Sequence, residues 1–235
     1  MNENADSKHG LEELNQFTRG PWIWNEQQQF ACRFVKFGLS VFLQLASSAI
    51  GSKSCTQVLK ISEGQYIEVF QITMDNGREI IAKLPNPNAG RPHFTTASEV
   101  ATMDFSRNTL NLPVPRVYAW SSRASEIFLG AEYIIMEKQA GVGLTDVWDS
   151  LKWKQKVHVL GQIVDIQRRL AGARFAKFGS LYYGDDIPDN AYSNSSLYFD
   201  SAGNKRRSKR FCIGTLTTAL SLALGEVNWI SNGAQ

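Results

Sequence analysis

The sequence predicts an α+β fold: a small antiparallel sheet with one packed helix, helices ahead of it, and the opening helix of a second lobe. Three patterns carry that reading. Strand-type residues fill the stretch 57–84, broken by the turn signal Asp75-Asn76-Gly77. A helical segment then separates this stretch from two further short β-type runs. Beyond those runs, Trp153, Val157, Leu160, Val164 and Leu170 recur at helical spacing, which predicts a long amphipathic helix.

Taken in order, residues 1–16 read as a disordered polar arm. A first helix is expected after a cap at Asn25, running through Gln27, Phe30, Ala31 and Phe34. A second spans roughly 39–50 and ends near Gly51. Trp22, Trp24, Phe30 and Phe34 are expected to pack as the core of this helical extension. Val58, Ile61, Ile67, Val69, Phe70 and Ile72 then bracket Ser62-Glu63-Gly64-Gln65 as two strands around a loop. The third strand closes on Lys83 and Leu84, and Pro85, Pro87, Gly90 and Pro92 end it in a rigid loop. Thr95 or Thr96 is the expected cap of the next helix, with Glu99 near its third or fourth position. Val100, Met103 and Leu110 mark one face of that helix, and Pro113 and Pro115 stop it. Residues 117–120 and 132–136 follow as strands joined across Ser121-Ser122-Arg123. Gln139-Ala140-Gly141-Val142-Gly143 reads as a hinge-like link, with Trp148 and Trp153 anchoring the helices beyond it. From Gly179 onward the pattern is loop-rich, and there is no internal repeat.

Composition narrows the function class. The 235 residues can bury a sizeable core, and 43% hydrophobic with 20% charged residues is ordinary for a globular protein. The 25 basic and 22 acidic residues leave a charge of +3, too slight to make nucleic acid or a membrane surface the main partner. Lys205-Arg206-Arg207-Ser208-Lys209-Arg210 is a basic run without interleaved aromatics and reads as a solvated loop. Cys32, Cys55 and Cys212 form no Cys-x-x-Cys pair and fit reduced thiols in an intracellular protein. No stretch reaches the roughly 18 uninterrupted apolar residues of a membrane span. The first fourteen residues, with Glu3, Asp6, Glu12 and Glu13, match neither a mitochondrial presequence nor a secretory signal.

The residue types that carry chemistry centre on Lys83. A lysine closing a short apolar strand can hold nucleotide phosphates when a carboxylate on the next helix holds the lysine. Glu99 is placed for that role; its other reading is a helix N-terminal carboxylate facing the macrodipole. Alone, Lys83 reads as a solvated strand-end lysine; with Glu99 and the hairpin order it reads as a phosphate holder. Gly64 is the one glycine in the preceding loop, so close approach of phosphate there rests on a single backbone position. Glu68 in the following strand is unfavourable if it faces the same ligand.

Several stretches together carry a family resemblance. They are Trp22-Ile23-Trp24-Asn25-Glu26, Ile80-Ile81-Ala82-Lys83-Leu84-Pro85-Asn86-Pro87-Asn88-Ala89-Gly90, Thr95-Thr96-Ala97-Ser98-Glu99-Val100-Ala101-Thr102-Met103-Asp104-Phe105, Pro113-Val114-Pro115-Arg116-Val117 and Ala131-Glu132-Tyr133-Ile134-Ile135-Met136-Glu137-Lys138. Gly179-Ser180-Leu181-Tyr182-Tyr183 and Arg210-Phe211-Cys212-Ile213-Gly214 extend the set over roughly residues 17–214. The chain resembles the fungal branch of the aminoglycoside phosphotransferase-like (kinase-like) superfamily named for altered inheritance of mitochondria. The resemblance implies a protein-kinase-like fold: an N-lobe with its helical extension over 17–138, a hinge and incomplete C-lobe over 139–214, and an atypical tail over 215–235. It implies ATP and Mg²⁺ as cofactors, held between lobes, and a mitochondrial location, with a cytoplasmic one as the alternative. It carries the family's phosphate-holding lysine to Lys83 and its helix carboxylate to Glu99. Gly64 becomes the pivot of the loop over the phosphates, and Met136, Glu137 and Lys138 line the hinge against adenine.

The sequence departs from that family at the catalytic loop. A His-x-Asp-x-x-x-x-Asn loop supplies the base in such enzymes, and none of His9, His93 and His158 is followed two residues on by Asp. Asp185 and Asn190 share the Asp-x-x-x-x-Asn spacing but lack the histidine, and Pro188 stands where the loop must bend inward. Loss of the base costs on the order of 10²–10⁴ in rate. Loss of the metal ligands as well leaves essentially no phosphoryl transfer, which is mostly positioning and charge neutralisation. The expectation is therefore a C-terminally truncated phosphotransferase-like protein, retaining at most weak nucleotide binding. The alternatives are a non-catalytic nucleotide- or protein-binding module and an inert fragment with an exposed apolar patch.

Overall fold

The structure, a computed structural model, describes residue 14, residues 23–187 and residues 196–217. The expected arm over 1–16, apart from residue 14, lies outside the described residues, as do Trp22, Asn190 and most of the tail. The chain is α+β, as its patterning predicts. Helices α1 (Glu26–Arg33) and α2 (Leu39–Ile50) precede β1 (Cys55–Glu63), β2 (Ile67–Met74) and β3 (Glu79–Pro85). Helix α3 (Phe94–Asp104) follows and continues through one π-helical turn, Phe105–Thr109. Strands β4 (Val117–Ser121) and β5 (Tyr133–Glu137) complete an antiparallel five-stranded sheet of order β1-β2-β3-β5-β4. A short helix α4 (Leu144–Val147) leads to α5 (Trp153–Gly172). Beyond it, β6 (Arg174–Phe175), β8 (Tyr198–Phe199) and β9 (Lys205–Arg206) form one small sheet. Strands β7 (Ser180–Tyr183) and β10 (Phe211–Gly214) pair antiparallel as another, so the stretch read as loop-rich holds two small sheets.

Side-chain alternation along the strands builds the main core. Phe70, Ile72 and Met74 of β2, Ile80, Ala82 and Leu84 of β3, and Tyr133 and Ile135 of β5 are buried on one face of the sheet. Helix α2 covers that face with Phe42 and Ala46, and it ends where Gly51 takes φ 69°, the left-handed conformation a glycine adopts without cost. Phe37, Phe42 and Phe70 meet edge-to-face, with ring centroids 5.3, 5.9 and 5.7 Å apart. The β2–β3 hairpin turns at Gly77, φ 75°, whose N–H donates to the Met74 carbonyl at 3.0 Å. The opposite face of the sheet carries Lys83 of β3, paired in register with Val69 and Ile134. A second core joins Ala101 and Phe105 to Leu181, Leu197, Phe211 and Ile213, so α3 is packed from outside by the paired strands β7 and β10 and the segment between them.

Four sequence expectations change. Asn25 precedes α1, but it sits at φ 49° with its side-chain amide donating to Gln28, so it does not cap. Trp24 (81% exposed) and Phe34 are not core, and the buried aromatic of this region is Phe37. Helix α5 forms where its periodicity predicts, yet it has no buried residue. Trp153, at 74% exposure, is not packed as an anchor among the described residues; Trp148 instead lies under the Lys156 ammonium, 5.3 Å from its ring. For α5, helical spacing names an apolar face without naming what covers it.

On the α2 side of the sheet, near the β1–β2 turn, Lys60 lies 3.0 Å from Glu63 and 3.3 Å from Glu68, all three side chains buried. Among the described residues, Glu68 Oε2 has no hydrogen-bond partner. Burial raises the Glu68 carboxyl above its ordinary 4.5, against the opposing Lys60 charge and with Glu63 adding to the rise. The folded state thus holds this proton more tightly than the unfolded chain, and stability falls as pH rises from about 4.5 through the raised value. Replacing Glu68 with Met leaves Lys60 beside Glu63 and is expected to raise stability at pH 7 by about 1 kcal/mol. Thermal unfolding from pH 4.5 upward should then show the wild-type advantage at low pH shrinking, and a flatter profile for Glu68→Met. Phe70→Ala empties the centre of the aromatic triangle and should cost about 3–5 kcal/mol in urea unfolding.

Candidate functional site

The β1–β2 turn and the Asn86 side chain shape one rim of a cavity. The turn closes with the Gly64 N–H donating to the Ile67 carbonyl at 2.8 Å. A register shift between Lys60 and Ser62 bends β1 just before it. Asn86, buried at the end of β3, holds this turn in place: its N–H donates to the Tyr66 carbonyl at 2.9 Å and its Nδ2 to the Gln65 carbonyl at 3.0 Å. The same side chain accepts from the Asn88 N–H at 2.9 Å. Asn86 lies in a stretch that carries the family resemblance, but sequence alone gave it no role, although Asn86-Pro87-Asn88 is a recognisable turn signal.

The cavity behind this rim has a volume of about 410 Å³, within the range of roughly 300–1,000 Å³ usual for small-molecule sites. The turn with Gly64 and Tyr66 forms one wall, Lys83 and Ile134 lie on the sheet side, and Thr96 and Glu99 of α3 form the other wall. Gly64, Lys83 and Glu99, separated by 16 to 35 positions along the chain, therefore meet at one site. The Lys83 ammonium donates to Glu99 Oε1 in a direct ion pair, with the two side chains 17% and 35% exposed. An ammonium has three N–H donors, so pairing with one carboxylate leaves it able to hold an anion as well.

Helix α3 is set differently from the sequence expectation. Its N-terminal residue is Phe94, and Glu99 lies in the second turn, out of reach of the macrodipole reading. Thr95 and Thr96 lie inside the helix, so neither caps it. The N-terminal donors go to Glu132 instead: its Oε1 accepts from the His93 N–H at 2.7 Å and its Oε2 from the Thr96 hydroxyl. His93, at φ 71°, is held by its ring, with Nδ1 2.7 Å from Ser122 Oγ and Nε2 donating to the Asp186 carbonyl at 2.9 Å. No local motif announces Glu132 as a cap, because it lies 39 positions away.

The other expected residues fall outside the cavity lining. Met136 shares the Lys83 face of the sheet, since Ile81 pairs with Met136 two positions before Lys83 pairs with Ile134. Glu137 Oε2 accepts from the Arg116 N–H at 3.0 Å and lies 3.5 Å from Arg107. Lys138 reaches Glu79 at 2.6 Å. Glu68 is buried on the opposite face, so it does not oppose a ligand beside Lys83. Asp185 stands in a single 3-10 turn, Gly184–Asp186. Burial raises the neighbouring Asp186 carboxyl, with His93 and Arg123 opposing the rise and Asp185 adding to it. Among the described residues there is no group of three or more His, Cys, Asp or Glu arranged to hold a metal ion. Among them, too, no helix is long and apolar enough to cross a membrane.

At the far end of α3, the Asp104 carboxylate accepts from Asn108 Nδ2 at 2.6 Å and from the Tyr183 hydroxyl at 2.5 Å, and it pairs with Arg210. Burial, then the Asp104 carboxylate, pushes the Tyr183 phenol well above its ordinary value, so the hydroxyl stays a donor at neutral pH.

No family model matches the chain. It is 46% identical over 133 residues to a subtelomeric hrmA-associated cluster protein of Aspergillus fumigatus, covering 57% of this chain and 26% of that protein. It is 32% identical over 143 residues to the mitochondrial protein named altered inheritance of mitochondria protein 9 in Komagataella phaffii, covering 57% of this chain and 23% of that one. The protein of the same name in Debaryomyces hansenii is 26% identical over 265 residues, covering 91% of this chain and 41% of that protein. The chain thus spans between about a quarter and two fifths of the length of these relatives. The yeast relatives carry the altered-inheritance-of-mitochondria name expected from the residues, and they are named as mitochondrial, the location that the resemblance implies.

Proposed function

We propose that the helices and five-stranded sheet up to residue 138 form the nucleotide-gripping lobe of a kinase-like, aminoglycoside-phosphotransferase-type protein. The observation that carries this reading is the Lys83–Glu99 ion pair on the wall of a cavity rimmed by the β1–β2 turn. The sheet order supports it: three consecutive antiparallel strands, then a helix bearing the carboxylate, then two strands of which the second pairs with β3. Lys83 holds the phosphate charge, Glu99 keeps the lysine aimed at the cavity, and Asn86 fixes the turn whose backbone faces the ligand. A bound nucleotide supplies the transferable phosphoryl group. Ile81, Ile134 and Met136 continue the apolar floor on the same face and offer a surface for the adenine ring.

The described residues fit the phosphate part of the group better than the metal. Glu99 is the acidic side chain at the cavity, and it is committed to Lys83. Transfer of the γ-phosphoryl of ATP to a small hydroxylated acceptor, with Mg²⁺, belongs in this reading to the whole protein, as does a mitochondrial location. Calorimetry with Mg·ATP tests the site directly. Wild type should bind, Lys83→Ala should show no binding, and Glu99→Gln should bind about tenfold more weakly, a difference of roughly 1.4 kcal/mol. A folded wild type that binds no nucleotide overturns the reading and favours a protein-docking module in its place.

A further inference from the structure

The helix that carries Glu99 is gripped at both ends by a segment some 80 residues further along the chain. At its C-terminal end, buried Asp104 takes the Tyr183 hydroxyl at 2.5 Å and the Arg210 guanidinium, while Arg210 lies 5.3 Å from the Tyr183 ring. Tyr183 stacks on Phe211 with centroids 5.5 Å apart, which joins β7 to β10 at this contact. At its N-terminal end, the His93 ring donates to the carbonyl of Asp186, three residues past Tyr183 in the same segment. Between the two ends, Ala101 of α3 is packed in one core with Leu181 and Ile213 of these paired strands. Phe94 and Asp104 are about 15 Å apart along the axis at 1.5 Å per residue, and Glu99 sits midway between them. A helix fastened at both ends neither slides nor rotates, so the clamp sets where the Glu99 carboxylate falls.

We propose that the paired strands β7 and β10, with the Gly184–Asp186 turn that follows β7, act with the Glu132 cap to position Glu99 against Lys83, with Asp104 and Tyr183 as positioning residues of the nucleotide site. The proposal deepens the nucleotide reading and rests on it. Neither residue touches the cavity. They act by holding α3 in the one orientation in which Lys83 is paired. The alternative, that Asp104 serves only the stability of the second core, predicts the same loss of melting temperature but no change at Lys83.

The experiment separates these outcomes. NMR of protein carrying ¹³C-labelled lysine, without nucleotide, reports the Lys83 side chain, assigned by its loss in Lys83→Ala. Glu99→Gln moves this signal, and Asp104→Ala is expected to move it in the same direction. With Mg·ATP, Asp104→Ala should weaken binding about tenfold in the wild-type background and less than twofold in the Glu99→Gln background, because its effect passes through Glu99. An unchanged Lys83 signal in folded Asp104→Ala, or a full tenfold loss in both backgrounds, overturns the proposal. Tyr183→Phe, which deletes a single hydroxyl, gives the same reading if Asp104→Ala does not fold. Failure of wild type to bind nucleotide would overturn the site reading alone, since the Lys83 signal still decides whether the paired strands control the ion pair.

Discussion

A lysine ammonium that is largely covered must have a carboxylate beside it, and in this chain that requirement organises the architecture. Lys83 is 17% exposed on the inner face of the sheet, where Val69 and Ile134 flank it in register. The neighbouring strands offer it no charge, so the carboxylate has to come from another element. Helix α3, inserted between β3 and β4, supplies it in Glu99. At an effective dielectric constant near 20, two unit charges about 4 Å apart attract by roughly 4 kcal/mol before desolvation is set against them. The pair therefore acts as a geometric lock more than as a source of stability, and the fold's stability has to come from elsewhere.

It comes from two separate cores on either side of that lock. The first joins α2 to the outer face of the sheet through Phe42, Phe70 and Ile135. The second joins α3 to the later strands through Phe105, Leu181 and Phe211. Glu132 and Asp104 secure the two ends of α3, and both are carboxylates that gather several donors at once. Helix α5 belongs to neither core. Its apolar positions Val157, Leu160 and Val164 face solvent among the described residues, beside a much more basic than acidic polar face. An uncovered amphipathic helix of this length is unusual in a folded domain.

Local chemistry made some of this legible in advance. The β2–β3 hairpin follows from Asp75-Asn76-Gly77, and the end of α2 from Gly51, because each depends on backbone conformations that only its own residues dictate. Lys83 and Glu99 could be paired on paper because a strand end and the next helix are close in sequence as well as in space. What failed were statements about partners. Trp24 and Trp153 were expected inside because large aromatic residues usually are, but burial depends on whether another element arrives to cover them. Thr95 and Thr96 have the residue type of caps, but Glu132, just before β5, takes that role.

The sequence by itself determined the α+β class, the strand-turn-strand order and the pairing of Lys83 with a carboxylate on the next helix. It did so because hydrophobic period, turn chemistry and residue type act over a few positions. Only the tertiary structure decided that Gly64, Lys83 and Glu99 share one cavity, that Glu68 faces away from it, and that Asp104 and Tyr183 fasten the helix between them. Those outcomes rest on pairings across 16 to 79 positions, whose loop-closure cost is met by cores that no single segment contains.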